Sequence, residues 1–328
     1  MADQVPTYKL ASGYSMPLVG FGIWKVPRET CANQVYNAIK LGYRHIDGAW
    51  DYTNSKEAGE GVRRAIDEGL VKREDLFITT KLWNNYHKRE HALEMAKLEL
   101  EAWGIGYFDL FLIHFPISLE FIPFDKLRYP CFWTDAEQTK VTPLAKVPIA
   151  ETWKALEDMV QTPENPNGFV RSIGVSNFSA QLLYDLLSYA KVPVSALQIE
   201  HHPYLTQPQL VQLAQKNNIL VTGYSSFGPQ SFIELNNVDA VNAQPLFEVD
   251  VVKSIAEKHG KTPSQVLLRW STQRNIAVIP KSNNVDRLKQ NLESATFSLT
   301  DDEIKQISSL NQNLRFNEPN SFGFPIFA

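Results

Sequence analysis

The sequence has few cysteines, no block of like charges and no long apolar run. Cys31 and Cys131 are the only cysteines among 328 residues, too few and too far apart for a disulfide framework. The 32 basic and 36 acidic residues give a net charge of −4 without clusters, which argues against nucleic acid as a partner. The richest apolar stretch, 107–115, is too short to cross a bilayer, and the first residues lack the apolar segment of a secretory signal. We therefore expect a cytoplasmic protein that binds neither nucleic acid nor membrane.

Strand-like and helix-like segments alternate along the chain. The strand-like segments are continuous apolar runs, typical of parallel strands covered on both faces, at 18–23, 43–47, 76–81, 108–114, 171–177, 195–201, 219–225 and 276–282. The helix-like segments have apolar residues three and four apart and occupy 31–42, 59–70, 91–104, 149–160, 180–190, 208–218, 251–260, 263–273 and 285–295. Eight such units predict a (β/α)8 TIM barrel, formed by residues 1–328 as a single domain.

Three further segments extend this fold prediction. Residues 7–19 have the pattern of an N-terminal β-hairpin, and the aromatic, proline-rich residues after Leu310 are interpreted as a C-terminal tail over the barrel mouth. The irregular segment 118–148 is expected to be an ordered loop at a working site. The main alternative fold is an open doubly wound sheet, which normally carries a G-x-G-x-x-G fingerprint after its first strand. That fingerprint is absent here.

Polar residues stand where the predicted strands end, which is where barrels of this kind carry their functional groups. Strands two, three and four end in Asp47, Lys81 and His114. Each residue alone could be a turn former, a solvated side chain or a core residue. Three ionisable groups that end three consecutive parallel strands must converge, however, and such convergence is costly without a purpose. Function is therefore the favoured interpretation of this set.

Tyr52 lies five residues after Asp47, in the stretch GYRHIDGAWDY. A phenol with a pKa of about 10 is a poor acid at neutral pH. We expect the Lys81 ammonium to lower the pKa of Tyr52, with Asp47 holding the lysine in place. A neutral His114 could hold a carbonyl oxygen against the phenol. The four side chains suit carbonyl reduction or alcohol oxidation, provided that a hydride is supplied.

The chain resembles the aldo-keto reductases over essentially its whole length, through the motifs GYRHIDGAWDY, TTKLWNNYH, LFLIHFP, RSIGVSNF, LQIEHHPYL, YSSFGPQS and IPKSNNVDRLKQN. Within that family it resembles the fungal xylose reductases in particular, through HFPISLEF, SSFGPQSFIEL and LRFNEP. The resemblance implies a (β/α)8 barrel with NADPH as cofactor and NADH as a usable alternative. It also implies a catalytic tetrad in which Tyr52 is the general acid, together with Asp47, Lys81 and His114.

The resemblance further implies which residues contact the cofactor and the substrate. The nicotinamide contacts are Ser176, Asn177, Gln198 and the stacking ring of Tyr224, and the pyrophosphate and ribose contacts are Ser225, Phe227, Gln230, Ser231 and Glu234. The 2′-phosphate, ribose and adenine contacts are Lys281, Ser282, Asn283, Arg287, Gln290 and Asn291, and the substrate contacts are Trp24, Asp51, His114 and Asn317. Lys281 and Arg287, six residues apart across a strand-to-helix turn, would form a cationic corner suited to a phosphate. The alternative is a solvated loop and helix start, and it is the spacing shared with the family that favours the phosphate.

The expected reaction is the reduction of open-chain aldoses to alditols. Pentoses such as D-xylose or L-arabinose are favoured as substrates, as part of pentose catabolism. The alternatives are a reductase of non-sugar aldehydes or ketones in the same family, and a non-catalytic NADPH-binding barrel. A barrel hydrolase would need two carboxylates that flank the bond to be cleaved, and the strand ends provide no convincing pair. Which pentose is preferred, the ratio of NADPH to NADH use and the choice between monomer and homodimer stay open.

Two details of the sequence carry separate expectations. Where the family pattern usually reads DYGNE, this chain has DYTNS at 51–55, and we expect Asn54, with Glu57 three residues on, to cap the following helix. Trp50, two positions before the general acid, is expected to narrow the pocket and shift the preference among sugars. His201 and His202 are neighbours on a strand and point to opposite faces, so no metal site is expected.

Overall fold

The computed structural model describes residues 5–328. A short antiparallel hairpin, β1 (Thr7–Lys9) with β2 (Ser15–Pro17), precedes the barrel. Eight parallel strands then pair in chain order: β3 (Phe21–Gly22), β4 (His45–Asp47), β5 (Phe77–Leu82), β6 (Leu110–Ile113), β7 (Ile173–Ser176), β8 (Ala196–Glu200), β9 (Leu220–Tyr224) and β10 (Ile276–Val278). Seven of the eight lie within segments predicted from the sequence, and β5 ends one residue beyond its segment, at Leu82. The predicted (β/α)8 fold and hairpin are confirmed.

Contacts between the first and last barrel segments close the ring of strands. Val19 bridges Val278 in parallel fashion just before β3. The Gly20 amide donates to the Val278 carbonyl at 2.8 Å, and the Val278 amide donates to the Leu18 carbonyl at 2.8 Å. These bonds satisfy backbone groups that an open sheet would leave at its edges, so the strands form a barrel whose carboxyl ends share one mouth.

The helices that surround the strands are α1 (Arg28–Leu41), α2 (Ser55–Asp67), α3 (Arg89–Trp103), α4 (Ile149–Met159), α5 (Ala180–Tyr189), α6 (Pro208–Lys216), α7 (Val238–Asn242), α8 (Asp250–His259), α9 (Pro263–Thr272), α10 (Val285–Leu292) and α11 (Asp301–Ser308). The sequence prediction missed α7 and α11. Yet α11 begins with a capping box, in which the Thr300 hydroxyl accepts from the Glu303 amide at 3.2 Å and a Glu303 carboxylate oxygen accepts from the Thr300 amide at 2.8 Å. The T-x-x-E spacing could have revealed it. Among residues 5–328, no helix combines the length and apolar character that crossing a membrane requires.

The hairpin fills the end of the barrel opposite the mouth. Leu10 and Met16 are almost fully buried and pack with inward-facing strand residues such as Phe77, Leu110 and Leu220. Since close-packed apolar side chains occupy this end, the chemistry-bearing residues gather at the other end. The fold therefore places the strand-end residues predicted above in the mouth.

The C-terminal tail runs back across the mouth, as predicted. The amides of Gln312 and Leu314 both donate to the Tyr204 carbonyl, at 3.1 and 3.0 Å. Further along, Phe322 stacks on Phe132 with ring centroids 4.5 Å apart. Backbone bonds thus hold the first part of the tail and aromatic packing holds the later part, so the tail forms a wall of the mouth.

Trp50 does not narrow the pocket, and that expectation is wrong. Its side chain is fully buried beneath the loop 118–148. The indole Nε1 donates to the Arg128 carbonyl at 3.0 Å, and the ring packs against Phe124 and Tyr129 at centroid distances of 5.7 and 5.2 Å. Trp50 therefore anchors the loop, whose residues Cys131 and Phe132 line the mouth cavity.

The DYTNS segment also differs from its expected role. The fully buried side chain of Asn54 does not cap α2. Its amide instead donates to the carbonyls of Ile23 and Val26, at 2.9 and 3.0 Å. Ser55 donates to a carboxylate oxygen of Glu99, on α3, at 2.8 Å. The polar residues of this segment therefore tie neighbouring loops and helices together behind the site.

Candidate active site

A cavity of about 670 Å³ opens at the carboxyl ends of the strands. Its lining includes almost every residue that the sequence singled out: Trp24, Asp47, Asp51, Tyr52, His114, Ser176, Asn177, Gln198, Tyr224, Ser225, Phe227, Gln230, Ser231, Glu234, Lys281, Ser282, Asn283, Arg287 and Asn317. Lys81 lies directly beneath the cavity floor, fully buried. Gln290 and Asn291 lie outside the lining, on α10 beyond Arg287, so their contact with adenine stays a prediction.

Lys81 is the centre of the polar cluster at the cavity floor. Its Nζ donates to Asp47 Oδ1 at 2.6 Å, to the Gly48 carbonyl at 2.7 Å and to the Tyr52 hydroxyl at 3.2 Å. Asp47 on β4 is paired with Thr79 on β5. Lys81 lies two residues beyond Thr79 on the same strand, so it faces the same side of the sheet as Asp47. The register of two adjacent strands thus brings the Asp47 carboxylate and the Lys81 ammonium together.

A short 3-10 turn, Trp50–Tyr52, carries Tyr52 back over this pair. Burial raises the pKa of Tyr52 well above its ordinary value, and the charges of Asp47 and Asp51 act in the same direction. The expected lowering of this pKa is therefore wrong, because the loss of solvation is the largest influence on it. The phenol keeps its proton at neutral pH, which is the protonation state that a general acid needs.

His114 follows β6 and faces Tyr52 across the cavity, with ring centroids 5.9 Å apart. Burial lowers its pKa, although the neighbouring Asp51 carboxylate acts in the opposite direction. Asp51 Oδ1 is 3.2 Å from His114 Nδ1. The imidazole is therefore neutral at neutral pH, as the sequence analysis expected.

Hydrogen-bonded polar side chains line the cavity beside the floor. Gln198 donates to Asp47 Oδ2 at 2.8 Å. The Asn177 amide donates to the His114 carbonyl at 2.9 Å, and Asn177 Oδ1 accepts from the Tyr224 hydroxyl at 2.7 Å. These amide and hydroxyl groups match the donors and acceptors of a carboxamide, and the Tyr224 ring offers a face for stacking. The donor set fits a nicotinamide ring.

The far end of the cavity carries positive charge. Lys281 follows β10, and Arg287 lies in the first turn of α10, where the Asn284 side chain caps the helix by accepting from the Arg287 amide at 3.0 Å. Burial lowers the pKa of Lys281, with Glu234 acting in the opposite direction. Two cations beside a helix N-terminus suit a phosphate group. This end of the cavity fits the phosphate of a dinucleotide.

Sequence reasoning missed several residues of the lining, among them Lys25, Trp83, Phe115, Cys131 and Phe132. Lys25 Nζ is 2.5 Å from both Glu234 Oε1 and the Ser231 carbonyl, and all three residues line the cavity. Its position directly after Trp24, at the end of the first barrel strand, was an available signal. Burial raises the pKa of the Cys131 thiol to about 12, so this cysteine is inert.

Histidines outside the cluster do not form a metal site in the part of the chain that the structure describes. No group of three or more His, Cys, Asp or Glu side chains among residues 5–328 is arranged to hold an ion. His202 contacts Glu200 at 2.8 Å, whereas His201 stacks on Trp270 with ring centroids 4.8 Å apart. The two neighbours point apart, and the expectation of no metal stays a prediction.

The closed barrel carries a cluster suited to proton transfer, formed by Asp47, Tyr52, Lys81 and His114. The cluster lies beside a cavity that fits a dinucleotide. The chain belongs to the aldo/keto reductase family, whose sequence profile matches residues 16–312. It is 65% identical to an NAD(P)H-dependent pentose reductase of Pyricularia oryzae over 97% of both chains. It is 60% identical to a probable NAD(P)H-dependent D-xylose reductase of Emericella nidulans over 98% of both. An NAD(P)H-dependent D-xylose reductase of Aspergillus niger is 56% identical over 98% of this chain and 99% of its own.

Proposed function

We propose that this protein reduces open-chain pentoses, D-xylose or L-arabinose, to their alditols with NADPH, in the pentose catabolism of the cytoplasm. The observation that carries the proposal is the position of the Tyr52 hydroxyl at the cavity floor, 3.2 Å from the Lys81 ammonium. The names of the relatives given above support the substrate and cofactor. The two unpaired cysteines support a reducing compartment.

The side chains at the cavity floor divide the proton chemistry among them. NADPH, when bound, supplies the hydride for the carbonyl carbon. Tyr52 gives its proton to the carbonyl oxygen as negative charge develops there. The Lys81 ammonium, fixed by Asp47, stabilises the phenolate that remains. The neutral His114 hydrogen-bonds the carbonyl oxygen and orients it toward the phenol.

The rim of the cavity supplies contacts for the hydroxyl groups of a sugar. Asp51 and Asn317 contribute polar atoms to the lining, and Trp24 contributes an aromatic wall. A carboxylate accepts hydrogen bonds and an amide both donates and accepts them. The pocket therefore suits a polyhydroxy aldehyde, whose hydroxyl groups lose water on entry and need these partners.

The test of this proposal is a comparison of aldehydes that differ in their hydroxyl groups. We expect kcat/KM, counted per open-chain molecule, to be at least about ten-fold higher for D-xylose and L-arabinose than for pentanal, since unmet polar groups in the site penalise an apolar chain. Equal values, or a preference for pentanal and benzaldehyde, would favour the non-sugar reductase. NADPH binding without oxidation by any aldehyde would favour a non-catalytic barrel.

A second test concerns the choice of cofactor. We expect Arg287→Ala to weaken NADPH binding about ten-fold or more, because a charged hydrogen bond to the 2′-phosphate is lost, and to leave NADH binding nearly unchanged. Quenching of protein fluorescence by each cofactor measures both affinities. Lys289→Ala, which removes an exposed charge further along α10, is the matched control. Equal losses for the two cofactors in Arg287→Ala would contradict the assignment.

A further inference from the structure

Glu200, at the end of β8, is a fully buried carboxylate with no part in the proton chemistry described above. Its Oε1 accepts from the Phe316 amide at 2.9 Å, and its Oε2 accepts from the Asn317 amide at 2.8 Å. His202 Nε2 also lies 2.8 Å from Oε1. A buried charge of this kind is retained only with full hydrogen bonding, and here two of the three partners are backbone amides of the C-terminal tail.

The Glu200 carboxylate fixes the point at which the tail enters the cavity. Directly beyond this anchor, the Asn317 side chain donates to the Tyr224 hydroxyl at 2.8 Å. The same hydroxyl donates to Asn177 Oδ1 at 2.7 Å. A continuous path of hydrogen bonds therefore runs from the barrel strand through the tail to Asn317 and on to the nicotinamide end of the cavity.

The two bonds to Glu200 fix the backbone at Phe316 and Asn317. The two amides belong to consecutive residues, and each donates to a different oxygen of the same carboxylate. This pair of bonds sets the direction of the chain as well as its position. The ring of Phe316 also lies against His202, with centroids 5.3 Å apart, which orients the residue before Asn317. A shift of the tail by one residue would move Asn317 out of reach of Tyr224.

We propose that Glu200 is a positioning residue for sugar specificity, which acts by holding Asn317 where the hydroxyl groups of the substrate meet the tail. This inference rests on the proposed function, because the role of Asn317 as a sugar contact belongs to that proposal. Glu200 itself does not touch the substrate. Its effect should therefore appear in the discrimination between hydroxylated and apolar aldehydes and not in the chemical step.

The test compares Glu200→Gln, Asn317→Ala and the double variant with D-xylose and pentanal as substrates. Glutamine has one oxygen acceptor where the carboxylate has two, so at least one tail amide loses its partner. We expect Glu200→Gln to lower kcat/KM for D-xylose about ten-fold, mainly through KM, since a buried hydrogen bond to a charge is removed. We expect kcat/KM for pentanal to change by less than about two-fold. In the double variant, we expect Glu200→Gln to add no further loss for D-xylose beyond that of Asn317→Ala.

The outcomes separate this inference from the proposed function. Suppose that Asn317→Ala lowers kcat/KM for D-xylose selectively. If Glu200→Gln then lowers kcat/KM equally for both substrates, or adds its full loss to that of Asn317→Ala in the double variant, only the positioning role of Glu200 is overturned. If Asn317→Ala leaves the discrimination unchanged, the sugar contact fails and the inference falls with it.

Glu200→Asp keeps the experiment decisive if Glu200→Gln does not fold. The aspartate retains the charge and withdraws the acceptor by one methylene, so the expected loss is again selective for D-xylose. Hydrogen exchange adds a readout independent of kinetics, in which the Phe316 and Asn317 amides exchange faster in either variant than in the wild type. Unchanged exchange at both amides would overturn the inference.

Discussion

Tyr52→Phe should lower turnover of D-xylose by a factor of about a hundred or more, because the proton donor is removed while the shape of the site is kept. The Tyr52 hydroxyl has Lys81 as its close polar partner, at 3.2 Å. Asp47 and the Gly48 carbonyl still hold the ammonium after the substitution, so the floor should stay intact. Steady-state kinetics with NADPH oxidation as the signal measures the loss, and NADPH affinity should be unchanged.

Tyr86→Phe is the matched control for this experiment. Tyr86 is buried close to the same turn, and its hydroxyl makes one long hydrogen bond, of 3.3 Å, to the Arg128 carbonyl. Its ring packs on Trp50 and does not line the cavity. Turnover within about three-fold of wild type is expected, since only one weak hydrogen bond is lost. Activity retained by Tyr52→Phe would mean that another group gives the proton.

The sequence predicted the barrel and its polar mouth because both follow from local patterns. Apolar runs identified the strands, and the rule that parallel strands present their carboxyl ends at one face then placed Asp47, Lys81 and His114 together. The structure confirms the strand order and brings these residues to one cluster. The sequence pattern could predict that these three residues lie close together, because the spacing of strands in a sheet fixes the distance between their ends.

Three expectations failed where the outcome depended on burial and tertiary contacts. The pKa of Tyr52 is raised, because burial at the cavity floor removes solvation and the charges of Asp47 and Asp51 act in the same direction. Trp50 faces the loop 118–148 instead of the pocket, and Asn54 bonds to carbonyls before α1 instead of capping α2. The direction of a side chain in a turn depends on what packs over it, and spacing along the chain does not encode that.

The structure also explains why the departure from the DYGNE pattern leaves the site intact. Glu99 is fully buried and accepts from Ser55, Thr80 and Trp103 at distances between 2.7 and 3.0 Å. The family pattern has an acid at the position of Ser55. Here Glu99, on α3, provides the acidic side chain behind Tyr52 and accepts from Ser55 itself. Burial raises the pKa of Glu99, so this group belongs to the support of the site and adds no second base.

Lys81→Met should both destabilise the protein and abolish most of its activity. Lys81 and Asp47 are both almost fully buried and form a direct ion pair at 2.6 Å. Removing one partner leaves the other charge in the interior without compensation, which costs about 3 to 5 kcal/mol of unfolding free energy. Urea unfolding followed by fluorescence measures this change. A loss below about 1 kcal/mol would mean that solvent reaches Asp47 more freely than its burial indicates.

The double variant Asp47→Asn/Lys81→Met separates the structural part of this pair from its chemical part. With both charges gone, no ion is left unpaired in the interior, and Gln198 can still donate to the remaining amide oxygen, as it now does to Asp47 Oδ2 at 2.8 Å. We therefore expect most of the lost unfolding free energy to return. Turnover should stay low, because the phenolate left by Tyr52 has no ammonium to stabilise it. If turnover returned together with stability, the ammonium would be a structural group, and the proton transfer would depend on Tyr52 and His114 alone.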